Sequence, residues 1–160
     1  MKKLILFCFT AMLISCNSTA QKKEKKESKT FKVTKTESEW KAELSEKEFY
    51  VLRKAGTERP FTSPLNKNYS EGTYHCAACN TPLFKSKHKF DSGTGWPSFD
   101  REIDGNVGFS TDYDLGYART EEHCATCGGH LGHVFNDGPK NTTGKRHCIN
   151  GVALKFVKKE

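Results

Sequence analysis

Two Cys-x-x-Cys pairs constrain this chain more than any other feature it carries. Cys76-Ala-Ala-Cys79 and Cys124-Ala-Thr-Cys127 are separated by 44 residues. Each pair fits a tight knuckle offering two thiolates, and two knuckles together make a tetrahedral four-cysteine zinc site. Gly128-Gly129 after the second pair supplies the conformational freedom a knuckle needs. Disulfides are the alternative in an exported chain, but the paired spacing favours zinc. Four thiolates fill the ion's coordination, so zinc here is structural and leaves no position for water or substrate. The chemistry has to lie elsewhere.

The amino terminus decides what two further cysteines do. "MKK" followed by "LILFCFTAML" is a short positive region and an apolar run too short to remain in a bilayer. Residues 1–15 are expected to be an export signal. Leu13-Ile14-Ser15-Cys16 resembles the lipobox of bacterial lipoproteins, in which cleavage precedes the cysteine and its sulfur is acylated. An ordinary signal with an incidental cysteine is the plainer reading. On the lipobox reading Cys8 leaves with the signal, and Cys16 is lipidated. The expected location is a membrane anchor outside the cytoplasm, facing the periplasm in a cell with an outer membrane.

Residues 16–36 read as a flexible, Lys-rich tether. Phe31 and Val33 are its only sizeable apolar residues, too few to order it alone. The overall charge of +7 is concentrated outside the domain: residues 21–35 carry seven lysines and two glutamates, and residues 36–160 carry 17 basic and 17 acidic side chains. A nucleic-acid partner is therefore not expected, because the positive field is not on the folded part. A flexible chain of about 20 residues reaches roughly 25 Å, which would hold a domain beside a membrane.

Residues 37–160 make one domain. Ser45 and Glu48 form a capping box, Leu44 and Phe49 a hydrophobic staple, and Gly56 stands as the residue after the helix. This predicts a helix over 46–55 with Phe49 and Leu52 on one face. Beyond it, "TYHC", "PLFK", "VGFS", "HLGHVF" and "VALKFV" are short runs separated by Gly, Pro, Asn and Asp. They predict antiparallel strands. In the last run Val152, Leu154 and Phe156 share a face by period two, with Cys148 beside them unless Gly151 makes a bulge.

Three segments carry candidate chemistry. "DSGTGWPSF" (91–99) sets Trp96 in a constrained loop, where it is either core or contact. "GGHLGHVFNDGP" (128–139) holds His130, His133 and Asp137 beside glycines that permit close approach. "GKRHCIN" (144–150) contains the unpaired Cys148. Nearby Arg146, with His147, would favour its thiolate, whereas a small buried hydrophobe is the ordinary role of a free cysteine. Spacing alone leaves both open.

Taken in order, the two cysteine pairs, "SGTGWPSF", "HLGHVFNDGP" and "RHCIN" resemble the B-type methionine sulfoxide reductases, which reduce the R epimer of methionine sulfoxide. "LSEKEFYVLRKAGTERPFTSPLN" (44–66) is also similar to that family, and the resemblance covers residues 38–157. It implies a mainly β fold of two antiparallel sheets with a short amino-terminal helical segment. It implies a structural zinc on Cys76, Cys79, Cys124 and Cys127. It further implies Cys148 as nucleophile, Trp96 as the aromatic wall of the substrate pocket, and His130, His133, Asp137, Arg146 and Asn150 as polar active-site positions. His130 or His133 would protonate the sulfoxide oxygen, Asp137 would orient an imidazole, and Arg146 would hold the thiolate.

One departure from the pattern matters. Many relatives carry a resolving cysteine where this chain has Thr94. With Cys8 in the signal, Cys16 acylated and four cysteines on zinc, no internal thiol remains to attack an oxidised Cys148. The expected cycle uses one cysteine and an external thiol such as a thioredoxin-like protein. The expected partners are oxidised proteins or peptides, that reductant, and a membrane through Cys16, with the domain acting as a monomer. A zinc-stabilised binding module or redox sensor is the competing class.

Overall fold

The computed structural model describes residues 30–160. The expected signal (1–15), the lipidation of Cys16 and the tether up to residue 29 lie outside the described residues.

Two successive capping boxes start two short helices. Thr36 caps α1 (Glu37–Glu43) with Glu39 reaching back, and Ser45 caps α2 (Glu46–Lys54) with Glu48 doing the same. Only the second was expected. α1 buries Trp40, and the Arg53 guanidinium from α2 lies 4.9 Å from its ring centre. α2 buries Phe49, Val51 and Leu52. Its left-handed end residue is Ala55, with φ of 52°, and not Gly56. Gly56 serves a different need: a Cβ there would come 2.2 Å from the Tyr50 ring.

The packed chain also starts before the expected boundary at residue 37. Val33 N–H donates to the Thr126 carbonyl in the second cysteine knuckle at 3.0 Å. The Phe31 ring lies edge-on to His123 and covers Gly128. Two apolar residues cannot order a segment by themselves, but a preformed knuckle offers them surface to bury.

All strand pairs are antiparallel. β1 (Gly72–Cys76), β2 (Pro82–Lys85) and β9 (Leu154–Lys158) form a three-stranded sheet in the order β2-β1-β9. β3 (Lys89–Phe90), β4 (Ser98–Phe99), β5 (Val107–Asp112), β6 (Arg119–Cys124), β7 (His130–Phe135) and β8 (Arg146–Ile149) form a six-stranded sheet ordered β3-β4-β8-β7-β6-β5. This is the mainly β, two-sheet fold expected. The core lies between the sheets: Phe84 of the small sheet stacks on Phe99 of the large one at 4.4 Å, and Tyr74 meets Phe99 edge-on at 5.0 Å. All three are fully buried, and each aromatic contributes about 2–3 kcal/mol by removal from water.

The carboxy-terminal run departs from the predicted single strand. Gly151–Ala153 form a 3-10 turn, and the chain crosses from the large sheet to the small one there. Val152 is therefore not in a strand with Leu154 and Phe156, and Cys148 belongs to a different sheet from either. The crossing is fixed by backbone donors: Gly151 and Val152 N–H both donate to the Glu58 carboxylate, and Ala77 N–H donates to the Ala153 carbonyl.

Candidate active site

Strand register, not sequence proximity, assembles the site. Ser98 of β4 stands opposite Cys148 of β8, Cys148 opposite His133 of β7, His133 opposite Glu121 of β6, and Glu121 opposite Ser110 of β5. Because side chains alternate, this row across five strands shares one face of the sheet. The neighbouring row, Phe99, His147, Val134 and Thr120, takes the opposite face. His147 is accordingly turned away from Cys148. It is buried between Glu122 and Glu102, with Nδ1 2.7 Å from the Glu122 carboxyl and Nε2 3.3 Å from Glu102. It does not support the thiolate, contrary to its position in the sequence.

A β-bulge brings the two candidate imidazoles together. β7 carries one extra residue opposite the Glu122–His123 step, so that His130 and His133 meet with ring centroids 5.5 Å apart. Each ring has its own carboxylate: His130 Nδ1 lies 2.7 Å from Glu121, and His133 Nε2 lies 2.6 Å from Asp112. With both acids ionised, those nitrogens must be the protonated ones, leaving His130 Nε2 and His133 Nδ1 for other partners. The His130 bond holds the Glu121 carboxyl down to about 2 against its burial. The Asp114 backbone N–H, with His133 and Arg119, holds Asp112 down to about 2. Burial lowers the pKa of His133 in spite of Asp112, so this imidazole is neutral at neutral pH.

Asp137, expected to orient an imidazole, instead takes Arg146. The guanidinium donates to both carboxylate oxygens at 2.9 Å and lies 4.4 Å from the centre of the Phe135 ring. The pairing of Phe135 with Arg146 dictates this, since it puts the turn after β7 beside β8. Arg146 pulls the Cys148 thiol down, as does Thr94, whose hydroxyl is 3.9 Å from Sγ. Burial pushes the thiol up by more, so Arg146 does not alone set its ionisation.

Trp96 is half-buried at the mouth of the loop, its indole N–H donating to the Glu58 carbonyl at 3.1 Å. Asn150 is buried with both ends of its amide occupied: Oδ1 accepts from Glu58 N–H and Nδ2 donates to the Leu131 carbonyl. Its role is to place the chain beyond Cys148. Glu58 and Ser98 belong to the site as well and fall inside the quoted segments 44–66 and 91–99 without a role being legible there, whereas Asp112 and Glu121 fall in no motif at all.

Outside this row, the four knuckle sulfurs lie within 4.8 Å of one another, and all five described cysteines are free of disulfides. Cys76 Sγ is 3.8 Å from Cys127 Sγ, and Cys79 Sγ is 3.5 Å from Cys124 Sγ. A tetrahedron with Zn–S bonds of about 2.3 Å has sulfur–sulfur edges of about 3.8 Å, whereas a disulfide brings sulfurs to about 2.05 Å. The donor set fits structural zinc. The two knuckles share one backbone plan. The first cysteine's N–H donates to the carbonyl five residues on, and its own carbonyl accepts from the residue four on, Asn80 or Gly128. Both of those residues are left-handed, at φ of 60° and 69°.

The SelR domain pattern matches residues 44–158. The chain is 49% identical over 126 residues to the peptide methionine sulfoxide reductase MsrB of Chromohalobacter salexigens, covering 78% of this chain and 95% of the relative. It is 51% identical over 129 residues to the MsrB of Leptospira interrogans, covering 80% and 98%. The corresponding protein of Alteromonas mediterranea is 52% identical over 121 residues, covering 75% and 84%. This chain belongs to the B-type methionine sulfoxide reductase family. Within such a B-type domain, zinc held by Cys76, Cys79, Cys124 and Cys127 ties the end of β1 in one sheet to the β6–β7 turn in the other. The ion would supply cross-linking and no acid or redox chemistry, its four ligands being protein thiolates.

Proposed function

We propose that this chain reduces the R epimer of methionine sulfoxide, carried on peptides or proteins, with Cys148 as nucleophile. The observation that carries the reading is the cross-strand row in which Cys148 lies directly opposite a carboxylate-backed imidazole, His133, with His130 beside it.

Cys148 Sγ attacks the sulfoxide sulfur as His130 or His133 passes a proton to the sulfoxide oxygen. The substrate's sulfur–oxygen bond then breaks as its protonated oxygen passes to Sγ and the transient bond between the two sulfurs is released, so methionine leaves and Cys148 becomes a sulfenic acid. Its sulfur is oxidised by two electrons and the substrate's is reduced by two. The thiol hydrogen is conserved as the sulfenic acid hydrogen, so a thiol that starts protonated brings the proton the oxygen requires. Trp96 offers an apolar face to the S-methyl group, a contact that tells methyl from oxygen and hence one epimer from the other.

Regeneration falls to an external dithiol such as a thioredoxin-like protein. One thiolate displaces the sulfenic oxygen as water to form a mixed disulfide with Cys148, and the second thiol releases it. The residue opposite Cys148 in the loop is a threonine, which supports a cycle using one cysteine. The lipobox-like stretch ending at Cys16 supports an exported, membrane-anchored domain.

Epimer-resolved turnover of methyl sulfoxides tests the activity. Loss of R-epimer reduction in zinc-loaded Cys148→Ser is expected, and retained turnover would sink the assignment. After one turnover without reductant, mass spectrometry should find Cys148 oxidised but in no intramolecular disulfide. A chain that oxidises with peroxide yet never turns over sulfoxide is a redox sensor instead.

A further inference from the structure

Thr94 stands between two left-handed glycines, Gly93 at φ of 71° and Gly95 at 94°, which hold its side chain under Cys148. It is one of three hydroxyls there, and their hydrogens can be traced. Ser98 Oγ donates to the Trp96 carbonyl at 3.1 Å. In the arrangement that satisfies this carbonyl, the 2.7 Å contact of Ser98 with Ser92 Oγ uses the Ser92 hydrogen. Ser92 Oγ also receives the Thr94 N–H at 3.4 Å. With the Ser92 hydrogen spent, the 2.8 Å contact between Ser92 and Thr94 can be made only by Thr94 donating. The single Thr94 hydroxyl hydrogen therefore has two acceptors in reach, Ser92 Oγ and Cys148 Sγ.

We propose that Thr94 is a catalytic hydrogen-bond donor whose hydrogen moves from Ser92 to the Cys148 sulfur when the thiol ionises. The serine–threonine–serine chain is directional: Ser98 anchors it on the Trp96 carbonyl, Ser92 points back at Ser98, and Thr94 is the one member free to turn. A thiol needs no donor, and Thr94 then satisfies Ser92. A thiolate is the stronger acceptor, because hydrogen bonds to an ionised partner are roughly twice as strong as neutral ones. Threonine at this position thus carries a function of its own in a one-cysteine enzyme. The inference rests on Cys148 being the nucleophile.

The test is the pH dependence of iodoacetamide alkylation of Cys148 in the full zinc-loaded chain without sulfoxide, monitored on the Cys148 peptide by mass spectrometry. Thr94→Val removes the hydrogen at nearly constant volume and should move the midpoint to higher pH, with three- to tenfold slower alkylation below it. Thr94→Ser should restore the parent midpoint. Ser92→Ala removes the competing acceptor and should move the midpoint to lower pH. A loosened loop would move both variants the same way, and that result, or an unchanged Thr94→Val midpoint, overturns the proposal. Zinc content and thermal midpoint are read first; if Thr94→Val does not fold, the sign of the Ser92→Ala shift decides alone. The underlying assignment fails separately, through sulfoxide turnover by Cys148→Ser.

Discussion

Replacing Asp112 by Asn removes one charge and almost no volume, and its cost can be worked out bond by bond. Asp112 Oδ1 accepts from Asp114 N–H, while Oδ2 accepts from His133 Nε2 and from Arg119 Nη2. Asparagine has one acceptor oxygen. If that oxygen keeps the Oδ2 position, its NH2 faces the Asp114 N–H; if it flips, NH2 faces both His133 and the guanidinium. Either way a donor loses its partner, at about 1–3 kcal/mol. Arg119 makes matters worse, since its Nε is already buried without a partner and its side chain is only 18% exposed. A partly buried guanidinium left without its carboxylate brings the total to roughly 2–4 kcal/mol. For a domain of this size that lowers the melting temperature by very roughly 10 °C.

The pH dependence has a definite sign. Asp112 is held below its ordinary pKa, so its contribution is present above about pH 4 and fades as the pH falls toward about 2. The gap between parent and Asp112→Asn should therefore not shrink between pH 8 and pH 5, and it should widen where His133 takes up a proton, because Asp112 favours that imidazolium. Urea denaturation of the zinc-loaded proteins at both pH values measures it. Because burial already disfavours the His133 imidazolium, loss of the carboxylate should also depress kcat more than it raises KM. A variant within about 0.5 kcal/mol of the parent, with unchanged kcat, would refute the three-way carboxylate as a support of the site.

Other expectations come from the same geometry. The Cys148 thiol is raised by burial more than Thr94 and Arg146 lower it, so its alkylation midpoint should lie above the ordinary thiol value of about 8.5; a midpoint below 7 would show Arg146 dominating. Gly128→Ala places a Cβ 2.3 Å from the Phe31 ring at a left-handed position, and should cost about 1–2 kcal/mol in denaturation while Asn80→Gly, at the matching position, stays near neutral. Stripping zinc with a chelator should unfold the junction of the two sheets and abolish near-ultraviolet circular dichroism from the Phe84–Phe99 stack, reversibly on adding zinc back.

What the sequence displays is what short-range chemistry encodes. The Ser45–Glu48 box and the two cysteine knuckles are complete within six residues and can be read directly. Thr36–Glu39 is just as local, but the lysines before it make the stretch look like tether. β4, β6 and β8 escape a hydrophobic pattern because alternate residues on them are Ser98, Glu121, Arg146 and Cys148, which the site needs polar. The carboxylates on the imidazoles are Asp112 and Glu121, 21 and 9 residues away from their histidines. Only strand register unites them. Asp137 looks like the partner because it is four residues from His133, but the strand carries it to Arg146.

The alternation along β8 has a consequence for how this enzyme can vary. Four consecutive residues serve two masters: Arg146 and Cys148 face the chemistry, while His147 and Ile149 face the interior. A slip of one position would bury the nucleophile and turn a buried histidine outward, losing activity and fold together. Insertions within residues 139–145 should be absorbed by the turn that precedes the strand, since Gly144 is left-handed and has open space around it. A single insertion between Arg146 and Ile149 should not. Length variation in this family member is thus confined by parity: the loop can count freely, but the strand must keep its place to within an even number of residues.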